Sequence, residues 1–214
     1  MSDYYVCNFK KDILINQKYL LIVLLYSIIF PVILIIDGDN KYLMMSFLLP
    51  FINVNFFVGK SCYIEDSVDV RNFLKMLPIN HNKIVFIRYI EMIVTLALSS
   101  VYAFLVQLYL MNGVSNAFLI HVNLLVFSAL LIYFGIYLSV YYKINYHAAQ
   151  NTLMFLFVIG VSTFILTEKV FNIKIEMINH LNYSASYIAF VISIIVLSIT
   201  YLYSIKEFKF NKFA

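Results

Sequence analysis

Charged residues divide this chain into long apolar runs. Residues 19–36, 42–59, 144–167 and 177–205 contain no Asp, Glu, Lys or Arg, giving uncharged runs of 18, 18, 24 and 29 residues. Eighteen residues of α-helix reach roughly 27 Å, close to the roughly 30 Å hydrocarbon core of a bilayer. A fifth run, 92–142, holds 51 residues and is too long for one crossing. It is interrupted by "MNGVSN" (111–116), a compact Gly/Asn/Ser cluster that marks a tight turn between two helices. The pattern therefore predicts six helices, at about 19–36, 42–59, 84–110, 117–141, 151–167 and 184–205. Pro31 and Pro50 fall inside spans, where a kink is tolerated if neighbouring helices satisfy the freed carbonyls. The first apolar run is longer than the core of a signal peptide, and no small-residue cleavage site precedes "DGDN", so it is expected to stay in the chain.

Composition strengthens this picture. Hydrophobic residues make up 63% and charged residues 12% of the 214, and mean hydropathy is +0.89. Soluble domains carry about 25% charge. The fold class expected is an all-α integral membrane protein: six transmembrane helices preceded by an interfacial amphipathic N-terminal helix. Lys and Arg placement sets the orientation. With the N-terminus inside, the inner segments hold Lys10, Lys11, Lys18, Lys60, Arg71, Lys75, Lys83, Arg88, Lys143, Lys206, Lys209 and Lys212. The outer segments hold only Lys41, Lys169 and Lys174. Both termini are expected in the cytoplasm, in the cell membrane. The net charge of +4 is thus topological information and gives no support to nucleic-acid binding. Cys7 and Cys62 both fall on the reducing side, so no structural disulfide is expected.

The polar segments divide the chain further. Residues 1–18 put Tyr5, Val6, Phe9, Ile13 and Leu14 near one helical face, opposite Lys10, Lys11 and Asp12, the pattern of a helix lying in the membrane surface. The spans occupy 19–205, with an inner loop at 60–83 and an outer loop at 168–183, and a basic tail follows at 206–214. The inner loop, "EDSVDVRNFLKMLPINHNK" from residue 65, opens with Glu65, Asp66 and Asp69, favourable charges at a helix N-terminus. Val70, Phe73, Leu74 and Leu77 then recur at helical spacing, and Pro78 ends the helix. This apolar stripe packs either on the protein's own spans and the headgroups or on a partner.

The acidic pair, the short helix and "LPIN…KIVFIRYI" together resemble the type-2 ABC exporter permeases, in their small bacterial branch. The matching positions are Glu65, Asp66, Leu77, Pro78, Ile79, Ile84, Val85, Arg88 and Tyr89; Asn80 and His81 stand where Ser-Arg is frequent. The resemblance implies that the loop docks in a cleft of a separate ABC ATPase, with Glu65, Asp66, Val70, Phe73, Leu74, Leu77, Pro78 and Ile79 as coupling residues. It also implies a working unit of two permease chains, as homo- or heterodimer, and two ATPases, with the substrate path between the permeases.

The chain's own chemistry is sparse. No G-x-x-x-x-G-K-[ST] phosphate cradle, G-x-S-x-G elbow or H-E-x-x-H spacing is present, so neither ATP hydrolysis nor another enzyme activity is expected. His81, His121, His147 and His180 are scattered over separate segments, and no metal or other cofactor is expected. Arg88 and Glu91 stand three residues apart at the start of the third span and can pair on one helix face. Asn53, Asn55, Gln107, His121 and Asn123 lie in or near spans, as conduit lining or as interhelical hydrogen bonds. The function expected is an ATP-driven export permease for an amphipathic or hydrophobic peptide, drug or lipid-like molecule. The alternative is a stand-alone six-span binder or channel, such as a vitamin-capturing importer component.

Overall fold

The computed structural model of the chain describes residues 10–11, 13–14, 16–36, 42–67, 70, 81–110, 115–171 and 183–210. Among them the chain is helical, without strands. The helices are α1 (Gln17–Ile36), α2 (Tyr42–Val54), α3 (Lys60–Glu65), α4 (His81–Leu110), α5 (Asn116–Lys143), α6 (Tyr146–Phe171) and α7 (Tyr183–Phe210). A π-turn at Asn55–Gly59 joins α2 to α3, and its flanking residues keep right-handed helical torsions, so 42–65 is one rod.

Several helices outrun the uncharged runs that announce them. The rod continues past Lys60 to Glu65, α4 begins at His81, and α6 runs on past Glu168 and Lys169 to Phe171. A charge marks where a segment should leave hydrocarbon, but it does not break a helix; caps do. Ser115 caps α5, accepting from the Phe118 N–H at 3.3 Å. The Asn145 side chain accepts from the Ala148 N–H at 2.8 Å and opens α6. Lys60 remains within the rod because its ammonium lies over the Tyr19 and Tyr63 rings, 4.9 and 4.3 Å from their centroids.

Among the described residues, four stretches are long and apolar enough to cross a membrane: Phe47–Glu65, Asn82–Tyr109, Asn116–Lys143 and Ser184–Phe208. A shorter apolar stretch, Tyr19–Val32, lies in α1. The other two expected spans, 19–36 and 151–167, coincide with α1 and α6. The chain is a multi-pass membrane protein. Its outward surfaces fit that setting: Leu21, Leu24, Leu25 and Ile28 on α1, Leu98 and Leu105 on α4, and Ile188, Val191, Ile195, Ile199 and Leu202 on α7 are exposed. In lipid, such faces need no protein cover.

The core is centred on α5. Leu130, Leu131, Phe134, Tyr137, Leu138, Tyr141 and Tyr142 pack against Val54, Phe57, Val58 and Cys62 of the rod, Val85, Tyr89, Met92 and Leu96 of α4, and Ala149 and Leu153 of α6. The broadest helix–helix contact is α5 on α7. Gly135 permits it: a Cβ there would lie 3.0 Å from Thr200 Oγ1 and 3.4 Å from Leu197 Cδ1. Without hydrophobic drive between helices in lipid, close backbone approach through small residues supplies the packing.

Of the expected N-terminal surface helix, Lys10, Lys11, Ile13 and Leu14 are helical, and Ile13 and Leu14 are exposed. Tyr5, Val6, Cys7, Phe9 and Asp12 lie outside the described residues, as do 111–114, most of the outer loop (172–182) and 211–214.

Candidate functional site

The uncharged polar residues of the spans join helices to one another. Asn53 Nδ2 donates to Ser27 Oγ at 3.4 Å and to Ser99 Oγ at 3.2 Å, tying the rod to α1 and α4. Asn123 Nδ2 donates to Gln107 Oε1 at 2.7 Å between α5 and α4. His121 Nδ1 and Ser186 Oγ stand 2.7 Å apart between α5 and α7. Tyr89 OH lies 2.9 Å from Ser204 Oγ on α7, and Tyr133 OH donates to the Leu153 carbonyl on α6. Asn55 faces Gly59 across the π-turn, its Oδ1 3.0 Å from where a Gly59 Cβ would stand. Interhelical bonding thus accounts for four of the five polar residues singled out in the sequence.

Charge, by contrast, gathers at one end of the bundle. Glu65 is the last residue of α3, and Arg88 lies two turns into α4. Between them runs the connection whose residues 68–69 and 71–80 lie outside the described residues. Arg88 Nη2 donates to Glu65 Oε1 at 2.7 Å, and its Nη1 donates to Glu91 Oε2 at 2.6 Å. Lys11 Nζ, from the N-terminal segment, donates to the same Glu65 oxygen at 3.1 Å. Glu65, Arg88 and Glu91 are all buried. Two cations and two carboxylates cancel, which is the condition for keeping such groups out of water. The planar guanidinium suits the position because its fork addresses two carboxylates at once, which an ammonium does not.

Two further contacts extend this end. Asp66 Oδ1 accepts from the Tyr146 N–H at 3.1 Å, a carboxylate on the first turn of α6, where the helix dipole favours it. Burial raises the Tyr146 phenol above its ordinary value. The buried Asn16 donates through Nδ2 to Ser61 Oγ at 2.7 Å and to the Phe57 carbonyl at 3.4 Å, fastening the N-terminal segment to the π-turn. Pattern reading missed the roles of Asn16 and Lys11 because their partners are distant in sequence.

The structure therefore places the sequence-derived site residues in three groups. Glu65 and Asp66 contact Arg88 and the start of α6, while residues 68–69 and 71–80 of the expected loop helix lie outside the described residues. Val70 is half-buried, while Phe73, Leu74, Leu77, Pro78 and Ile79 lie outside the described residues. Ile84, Val85, Arg88 and Tyr89 form one buried face of α4. Among the described residues no group of three or more His, Cys, Asp or Glu could hold a metal ion, and Cys62 is a buried free thiol.

The charged end is thus a set of helix-tying ion pairs beside an interhelical connection. In comparison with known proteins, a family model described as ABC-2 family transporter protein matches residues 9–209, nearly the whole chain. No curated protein and no solved structure matches it. The match takes in the N-terminal anchor at Lys11 and Asn16, the charged end and every helix, so the chain belongs to the ABC-2 transporter family, the membrane permease component of an ABC transporter that works with a separate ABC ATPase.

Proposed function

We propose that this chain is the permease subunit of an ATP-driven exporter, crossing the cell membrane six times with both termini in the cytoplasm. In this reading the connection between the rod and α4 docks on a separate ATPase, and two permeases with two ATPases form the working unit. The observation that carries it is the Glu65–Arg88–Glu91 network. It joins the two roots of the loop, so force applied to the loop reaches the rod and α4 together instead of being absorbed by a slack connection. Asp66 passes the same displacement to α6, and Lys11 passes it to the N-terminal segment.

The stand-alone binder draws no support from the family match. Apart from Arg88 and Glu91, which neutralise each other, the charges of the apolar stretches (Lys60, Glu65, Lys83, Lys143, Lys206 and Glu207) stand towards their ends. A highly charged small substrate would find no partner between those ends. An amphipathic or hydrophobic peptide, drug or lipid-like molecule fits the interior better.

The test is a Phe73→Ala/Leu77→Ala variant. Truncating well-buried interface anchors costs about 2 kcal/mol, about a thirtyfold loss of affinity. Residues outside the bilayer are not needed for insertion, so membrane level should stay unchanged while the ATPase recovered per permease in detergent pull-downs falls. Phe171→Ala should retain its ATPase. Equal recovery by the loop variant and the parent would refute the docking assignment.

A further inference from the structure

We propose that Lys60, Tyr19 and Tyr63 form a binding site for the phosphate of an anionic phospholipid at the charged end of the bundle. Lys60 opens α3, and its ammonium sits over the Tyr19 ring of α1 and the Tyr63 ring of its own helix. The nearby carboxylates are engaged elsewhere: Glu65 receives Arg88 and Lys11, and Asp66 receives the Tyr146 N–H. Among the described residues Lys60 makes no ion pair, and the Tyr19 and Tyr63 hydroxyls have no hydrogen-bond partner. Tyr63 is exposed and Lys60 and Tyr19 are half-buried, so one ammonium and two phenol donors have no acceptor from the described residues. A phosphodiester supplies acceptors and charge together.

The surroundings select a lipid over a free phosphate. Lys60 stands where the uncharged run 42–59 ends, at the depth of a headgroup. Exposed apolar side chains begin beside it and run away along both elements: Leu21, Leu24, Leu25 and Ile28 on α1, and Phe56 on the rod. Acyl chains lie along that wall while the headgroup meets the lysine. Exposed Lys10 adds positive potential from the N-terminal segment. The site requires only that the chain lie in a bilayer, so it can be tested on the permease alone, apart from any coupling to an ATPase.

The experiment is electron spin resonance of spin-labelled phosphatidylglycerol and phosphatidylcholine in phosphatidylcholine vesicles holding the purified full-length protein. Phosphatidylglycerol should be immobilised in preference to phosphatidylcholine. Lys60→Gln should weaken that preference about fivefold, the effect of one lysine near an anionic surface. Lys60→Arg should keep it, Tyr63→Phe should reduce it, and Lys206→Gln, a change at an exposed residue away from the site, should leave it intact. Absence of a phosphatidylglycerol preference, or equal losses in Lys60→Gln and Lys206→Gln, would overturn the proposal. Displacement of the labelled lipid by excess glycerol 3-phosphate would overturn the choice of a lipid.

Discussion

Arg88 and Glu65 meet at 2.7 Å across the base of the loop between the rod and α4, both buried, with Glu91 completing the fork of the guanidinium at 2.6 Å. Removing the cation takes a shared partner from two buried carboxylates, and Glu65 keeps Lys11 as another donor. Breaking a buried pair from one side costs about 3–5 kcal/mol, whereas removing all its charges together can be nearly neutral. Arg88→Gln should therefore lower the thermal unfolding temperature in detergent markedly, and Glu65→Gln/Arg88→Gln/Glu91→Gln should recover much of the loss. If the network transmits motion, the triple variant will be stable yet show ATPase activity uncoupled from transport. A triple variant no more stable than Arg88→Gln would contradict this account of the network.

Gly135 makes a second, independent prediction through its contact with Thr200. Alanine favours a helix over glycine by about 1 kcal/mol, so on propensity alone Gly135→Ala should stabilise α5. Here the new methyl would meet Thr200 Oγ1 at 3.0 Å, and overpacking costs about 1–3 kcal/mol. Gly135→Ala should destabilise the parent but stabilise a Thr200→Ala background. The sign reversal, read from a double-mutant cycle of unfolding temperatures, is the measurement; additive effects would mean that the contact exerts no strain.

The proposed orientation predicts a labelling pattern. Cysteines placed at Asn40 and Asn172 should react in intact cells with an impermeant thiol reagent, and one at Asn145 should not. Labelling at Asn145 alone would invert the arrangement, carrying Lys60 and the lipid site to the opposite leaflet.

Much of the fold was legible because lipid imposes a simple grammar. A segment without charge over about 18 residues can satisfy its backbone only as a helix. Hence α1 coincides with 19–36 to within two residues at its start, and α4 ends at Leu110 and α5 begins at Asn116, on either side of the predicted break. Helix ends were less legible. Lys60 continues the rod through stacking on two tyrosines, one from another helix, and no local rule contains that contact.

The sequence by itself determined that this chain inhabits a membrane, where its helices lie and which segment between them carries the unusual pattern of acid, apolar stripe and proline. Period and charge are local quantities, and the bilayer reads them locally. The tertiary structure alone decided what the polar groups do. Glu65 and Asp66 have no partner in the linear pattern until Arg88 and the Tyr146 N–H are brought to them. Asn53 and Asn123 look equally like conduit lining or helix ties until Ser27, Ser99 and Gln107 stand opposite. Lys11 and Asn16 acquire a role only when Glu65, Ser61 and the π-turn fold against them. A polar side chain carries a donor or an acceptor in its identity, but its partner is chosen by which helices pack together, and that choice rests on contacts such as Gly135 against Thr200 that no linear pattern records.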